Sequence, residues 1–66
     1  MLNVNYETWF TEIINNNRVT FKVFRSGAFV IQSIYRDGKN VTSSLTINRY
    51  CKDMIRFWVA NKMIQY

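Results

Sequence analysis

The sequence predicts a small α+β domain in the order α-β-β-β-α, a three-stranded antiparallel sheet with two helices packed on one face. Three observations predict it. The two glycines of the chain stand in turn-like pairs, Ser26-Gly27 and Asp37-Gly38. Each pair lies between runs rich in β-branched and aromatic residues, the pattern of two tight hairpins. Outside the hairpins, apolar residues recur at helical spacing near both ends of the chain.

Each element follows in order. Asn5 to Asn16 reads as a helix, with Tyr6, Trp9, Phe10, Ile13 and Ile14 on one face. Asn5 is its expected N-cap, Glu7 complements the helix dipole, and Asn15-Asn16-Asn17 stops it. Arg18 to Arg25 alternates, with Val19, Phe21 and Val23 on one face and Arg18, Thr20 and Lys22 on the other. Ala28 to Arg36 is apolar on both faces, as befits a central strand. Lys39 to Thr46 alternates again. Asn48 to Gln65 reads as the second helix, capped by Thr46 or Asn48, with Ile47, Tyr50, Cys51, Met54, Phe57 and Trp58 on its apolar side.

Two-residue turns set the registers. Ser26-Gly27 pairs Arg25 with Ala28, Val23 with Val30 and Val19 with Ile34. Asp37-Gly38 pairs Arg36 with Lys39, Ile34 with Val41 and Val30 with Leu45. Both alignments put Val30 and Ile34 on the buried side, and a slip of one residue in either would oppose apolar to polar faces. Gln32 and Ser43 then meet on the inner face. The open face is expected to carry Arg18, Lys22, Phe24, Phe29, Ile31 and Tyr35, with Phe24 directly opposite Phe29.

The totals bound what such a chain does. It has 66 residues, which is a single domain with one core. Cores below about 70–80 residues rarely supply more than roughly 3–5 kcal/mol. There is one cysteine, Cys51, and no histidine, so neither an intrachain disulfide nor a metal cage is expected. No cofactor is expected either. Residues 1–5 hold no basic residue and no apolar segment follows, so no secretion signal or membrane span is read, and a cytoplasmic location is expected. Asn40-Val41-Thr42 matches a glycosylation acceptor by pattern only. The Asn-, Ile-, Lys-, Tyr- and Phe-rich composition without proline resembles that of small proteins of viruses and mobile elements.

Net charge is +5. Residues 1–17 contribute Glu7 and Glu12 and no cation, so the basic character belongs to the rest of the chain. This asymmetry points to nucleic acid, DNA or RNA, or to an acidic protein. Arg18, Lys22, Arg49, Lys52 and Arg56 are the expected phosphate contacts, the last three forming a helical stripe without compensating acids. Phe24, Phe29 and Tyr35 are the expected stacking partners of bases. The alternative is an inhibitor or adaptor that grips a host or defence protein through Phe24, Phe29 and Ile31. A homodimer through the open sheet face is a further possibility. Catalysis is not expected: the four carboxylates are scattered, and Cys51 falls on the buried side of its helix.

The element order is similar to that of double-stranded RNA-binding domains, which carry basic residues at the start of the second helix, where Arg49 and Lys52 lie. Their lysine-rich helix-start motif and long first hairpin loop have no counterpart here. HicA-type RNA-cleaving toxins share the layout but rely on a histidine, so their activity is not carried over. Residues 18–64, including YRDGKNVTSSLTINRYCKDM, resemble the arm-binding or AP2-type layout of three strands followed by a helix, a family whose open sheet face reads DNA. Some small anti-CRISPR proteins also combine a helix with a three-stranded sheet. Those that mimic DNA are acidic, whereas this chain is basic.

Overall fold

The computed structural model describes residues 7–66. In it the chain runs β1 (Glu7–Ile14), β2 (Asn17–Phe24), β3 (Phe29–Arg36), β4 (Lys39–Asn40) and α1 (Leu45–Ala60). The strands form one four-stranded antiparallel sheet in the order β1-β2-β3-β4. The α+β class holds, but the sheet gains a strand at its start and one helix, not two, is present among the described residues.

Glu7–Ile14 departs first from the expected order. The expected first helix is a strand, and its expected cap Asn5 and Tyr6 lie outside the described residues. The stretch is dense in Thr, Trp, Phe and Ile, which favour a pleated, half-buried surface. Asn15 (φ 51°) and Asn16 (φ 68°) both take the left-handed conformation. Two such residues in succession make a tight hairpin turn rather than a helix stop. The turn sets Ile14 opposite Asn17, and the pairing runs unbroken to Glu7 opposite Phe24. Asn17 is buried, and its side-chain amide donates to the Ile14 and Asn15 carbonyls at 3.0 and 3.2 Å.

The β2–β3 hairpin departs from its expected register in a compensated way. Its loop is Arg25-Ser26-Gly27, not Ser26-Gly27. The Gly27 N–H donates to the Phe24 carbonyl at 2.9 Å, and the Phe24 N–H donates to the Ala28 carbonyl at 2.7 Å. Gly27 closes the loop at φ 97°, a conformation natural to glycine. The first pairs are therefore Val23–Phe29, Lys22–Val30 and Phe21–Ile31. A bulge at Gln32 then restores the expected Val19–Ile34 and Arg18–Tyr35 pairs. Between loop and bulge every β3 side chain is reversed from expectation: Phe29 and Ile31 turn toward the helix and Val30 turns outward. Gln32 is exposed rather than set against Ser43 on the inner face. Deleting Gln32 is expected to leave a folded protein in which Thr20–Ser33 and Phe21–Ile31 still pair, because the inside–outside alternation then runs without a break. Cross-strand nuclear Overhauser contacts check it; their loss would mean the bulge is required.

Asp37 (φ 52°) and Gly38 (φ 78°) form the second two-residue turn as expected, pairing Arg36 with Lys39. The third predicted strand nonetheless ends at Asn40. The Asn40 side chain accepts from the Thr42 N–H at 2.9 Å and bends the chain. The Thr42 hydroxyl accepts from the Ile34 N–H at 2.8 Å and stands in for a strand partner. The expected Val30–Leu45 pair is lost, and Leu45 instead opens α1, 86% exposed. Ser44, rather than Thr46 or Asn48, caps the helix by accepting from the Ile47 N–H at 3.4 Å.

The helix stops at Ala60, before the expected Gln65. Met63 N–H donates to the Trp58 carbonyl at 2.8 Å and Lys62 N–H to that of Val59 at 3.2 Å, with Lys62 left-handed at φ 55°. This is the termination that glycine normally occupies. A left-handed residue with a Cβ is disfavoured by roughly 1–2 kcal/mol, partly offset by the greater freedom of unfolded glycine. Lys62→Gly is expected to stabilise the fold by about 1 kcal/mol and raise Tm by about 4–8 °C. An unchanged or lowered Tm in calorimetry would remove the argument.

One face of the sheet meets α1. Ile14, Val19, Phe21, Val23, Ile34, Cys51 and Ile55 are buried between them. Phe10 stacks on Phe21 at 5.3 Å between centroids, and Trp58 lies 6.4 Å from Phe21 on the helix side. Among the described residues no helix is long and apolar enough to cross a membrane.

Candidate functional site

The pleat dictates which side chains share the face away from α1. Glu7, Trp9, Thr11 and Ile13 of β1 lie opposite Phe24, Lys22, Thr20 and Arg18 of β2, and β3 continues the rows with Val30, Ser33 and Tyr35. No described element covers this face. Trp9 is 49%, Ile13 66% and Val30 47% exposed.

Cations and rings interleave there. The Lys22 ammonium sits 5.3 Å from the Trp9 ring and 5.4 Å from the Phe24 ring. It also lies 3.6 Å from a Glu7 carboxylate oxygen, whose other oxygen accepts from the Trp9 indole N–H at 3.1 Å. Two rows away, the Arg18 guanidinium lies 5.9 Å from the Tyr35 ring centroid. The Thr11 and Thr20 hydroxyls, 3.2 Å apart, bridge the middle. Beyond Arg18 a shallow depression lies between the two tight turns, lined by Ile13, Asn16, Arg18, Tyr35, Asp37 and Gly38. Cation–ring contacts of this kind are worth about 0.5–1 kcal/mol each at exposed sites. They hold the side chains upright without hiding the rings.

Of the residues expected to form the site, Arg18, Lys22, Phe24 and Tyr35 do share the open face. Phe29 and Ile31 do not: the loop register turns both to the helix side, where they pack against the core. The Phe24–Phe29 cross-strand pair is replaced by Phe24–Ala28 and Val23–Phe29. The partner-binding trio Phe24, Phe29 and Ile31 is thereby split between two faces. Trp9 and Ile13, on the β1 row of the open face, are hidden from sequence reasoning by the helical reading of their segment.

Arg49, Lys52 and Arg56 do form a stripe on exposed α1, beside Leu45, Asn48 and Asp53. It is not free of acids, since the Asp53 carboxylate accepts from Arg56 at 3.1 Å. Arg56 also lies 5.9 Å from the Phe29 ring centroid, at the β3 margin of the helix layer. The stripe and the open face are thus on opposite layers of the molecule. A single straight ligand touches one or the other.

The remaining reactive group is Cys51, fully buried between sheet and helix. Burial pushes its thiol pKa up, which keeps it protonated and unreactive. Among the described residues no cluster of His, Cys, Asp and Glu could hold a metal ion. No protein-family model, curated protein or solved structure matches the chain.

Proposed function

We propose that this is a non-enzymatic nucleic-acid-binding protein of a virus or mobile element, and that it holds a single strand on the open face of its sheet. The observation that carries the reading is the alternation of rings and cations on one uncovered face: Trp9 and Phe24 about Lys22, and Tyr35 beside Arg18. Flat rings on a sheet give unpaired bases a stacking surface, and neighbouring cations meet the phosphates between them. A duplex hides the faces of its bases, so the arrangement favours single strands. The viral or mobile-element origin rests on composition alone.

Labelled single- and double-stranded DNA and RNA, titrated by fluorescence anisotropy at several salt concentrations, test the proposal. Single strands are expected to bind more tightly than duplexes. With Arg18 and Lys22 each displacing a counterion, log K should fall with log salt at a slope of roughly −1 to −2. Binding that ignores salt, or absence of binding even at low salt, would sink the reading. Charge reversal of Arg49 and Lys52 should change the slope little if the open face is the interface.

A second reading keeps the same face and changes the ligand. Trp9, Ile13 and Val30 are exposed apolar residues of the kind that anchor protein contacts. An inhibitor or adaptor would use Trp9 and Phe24 as anchors, with Arg18 meeting an acidic rim. Salt-insensitive capture of one defined partner, abolished by Trp9→Ser, would favour it.

A further inference from the structure

The two margins of the sheet are treated differently. On the β3 side, the bulge at Gln32 breaks the edge and β4 is two residues long with Lys39 at its start. Bulges, short strands and lysines are the usual guards against edge-to-edge pairing. β1 has none of them. Its eight residues pair with β2 without a register shift and include neither lysine nor proline.

The backbone orientation of β1 follows from the ladder. The Phe24 N–H points to β3, where it donates to Ala28. Successive residues of a strand point their N–H and C=O to alternate sides. Val23, Phe21, Val19 and Asn17 therefore face β1, and Thr8, Phe10, Glu12 and Ile14 answer them. The N–H and C=O groups of Trp9, Thr11 and Ile13 are left on the outer margin, with no strand beside them among the described residues.

We infer that this margin pairs with the same margin of a second copy, β1 against β1 antiparallel about a two-fold axis at Thr11. The choice of partner comes from the side chains. Centred on Thr11, the pairing sets Trp9 of each copy against Ile13 of the other on the open face, and all three outward residues exchange both backbone hydrogen bonds. This sets side by side two of the large apolar side chains the monomer leaves exposed. Centred on Glu12, the pairing would oppose two carboxylates. Centred on Phe10, it would set Glu7, engaged with Lys22, against Ile13. Of these three registers the Thr11-centred one is free of both conflicts, and the self-complementary surface makes a closed dimer rather than a filament. The inference is independent of what the open face binds, though the dimer would join two such faces into one continuous sheet.

Sedimentation equilibrium of the full chain without nucleic acid, from micromolar to millimolar, is the test. A dimer is expected. Thr11→Pro removes an outward N–H at the axis and none from the β1–β2 ladder, so it should leave the circular dichroism spectrum intact and weaken the dimer at least tenfold. Ile13→Lys keeps the backbone and should do the same, which covers failure of the proline variant to fold. A mixture of Trp9→Cys and Ile13→Cys chains should form a mixed disulfide under mild oxidation that neither forms alone, Cys51 being buried. A chain that stays monomeric throughout, a dimer indifferent to both edge variants, or equal cross-linking of each cysteine variant with itself would overturn the inference.

Discussion

Phe21→Ala is expected to abolish folding at room temperature. Phe21 is fully buried at the centre of β2. It stacks on Phe10, stands beside Trp58 and faces Ile31 across the ladder. It thus joins β1, β3 and α1, each of which brings an aromatic or branched side chain to it. Truncating a buried phenylalanine costs about 3–5 kcal/mol in lost transfer energy and cavity. A chain this short has roughly that much stability in total. No disulfide supplements it, because the lone cysteine is free. The variant should show no cooperative thermal transition and a collapsed amide proton spectrum. Val30→Ala, on the exposed outer face, should cost well under about 1 kcal/mol. A cooperative melt of Phe21→Ala with Tm lowered by only a few degrees would show that the core is not organised around this ring.

How much of this was legible in the sequence depends on the element. The alternation of Val19, Phe21 and Val23 survives in the structure as the buried row of β2, because one strand face carried all the apolar residues. The Asp37-Gly38 turn was equally plain. Glu7–Ile14 was not, since Phe10, Ile13 and Ile14 suit a helical stripe while Phe10 and Ile14 also share one face of a strand. The discriminating signal was Asn15-Asn16. A tolerance for left-handed backbone reads as a helix stop for one residue and as a hairpin turn for two. Tertiary pairing with β2 decided the outcome.

The β2–β3 register shows a subtler loss. A two-residue Ser26-Gly27 turn and a three-residue Arg25-Ser26-Gly27 loop both put glycine where it is wanted. Residues 28–36 are apolar on both faces, so alternation could not choose between them. The loop moved the register by one and the bulge at Gln32 moved it back. Only the pairs beyond the bulge, Thr20–Ser33, Val19–Ile34 and Arg18–Tyr35, therefore follow the expected register. Phe29 and Ile31 fell in the shifted window and were assigned to the wrong face. The open face differs accordingly: Arg18, Lys22, Phe24 and Tyr35 share it as expected, Trp9 joins them, and Phe29 lies on the helix side. The acid beside the helix stripe is also in the sequence: Asp53 stands one short helical turn before Arg56, within reach of an i,i+3 pair.

Trp9→Ala should weaken single-strand binding by about 1–3 kcal/mol, the usual worth of one base–aromatic stack. Trp9 offers the largest ring on the open face and is half exposed, so a base can lie on it without displacing protein. The substitution also frees Lys22 from one of its two ring contacts, which should leave the salt slope nearly unchanged. Affinity and salt dependence thus separate stacking from charge. Glu7 supplies the converse. Its carboxylate lies 3.6 Å from the Lys22 ammonium, so an arriving phosphate competes with it. Exposed pairs of this kind are worth about 0–1 kcal/mol, small enough for a phosphate to overcome. Glu7→Gln should therefore tighten binding several-fold at low salt, the gain shrinking as salt rises. Lys22→Glu should weaken binding to all sequences alike and reduce the slope by about 0.7, one counterion's share on a single strand. A Glu7→Gln variant that binds no better, together with a Trp9→Ala variant that binds as well as the parent, would move the interface off this face and onto the helix stripe of Arg49 and Lys52.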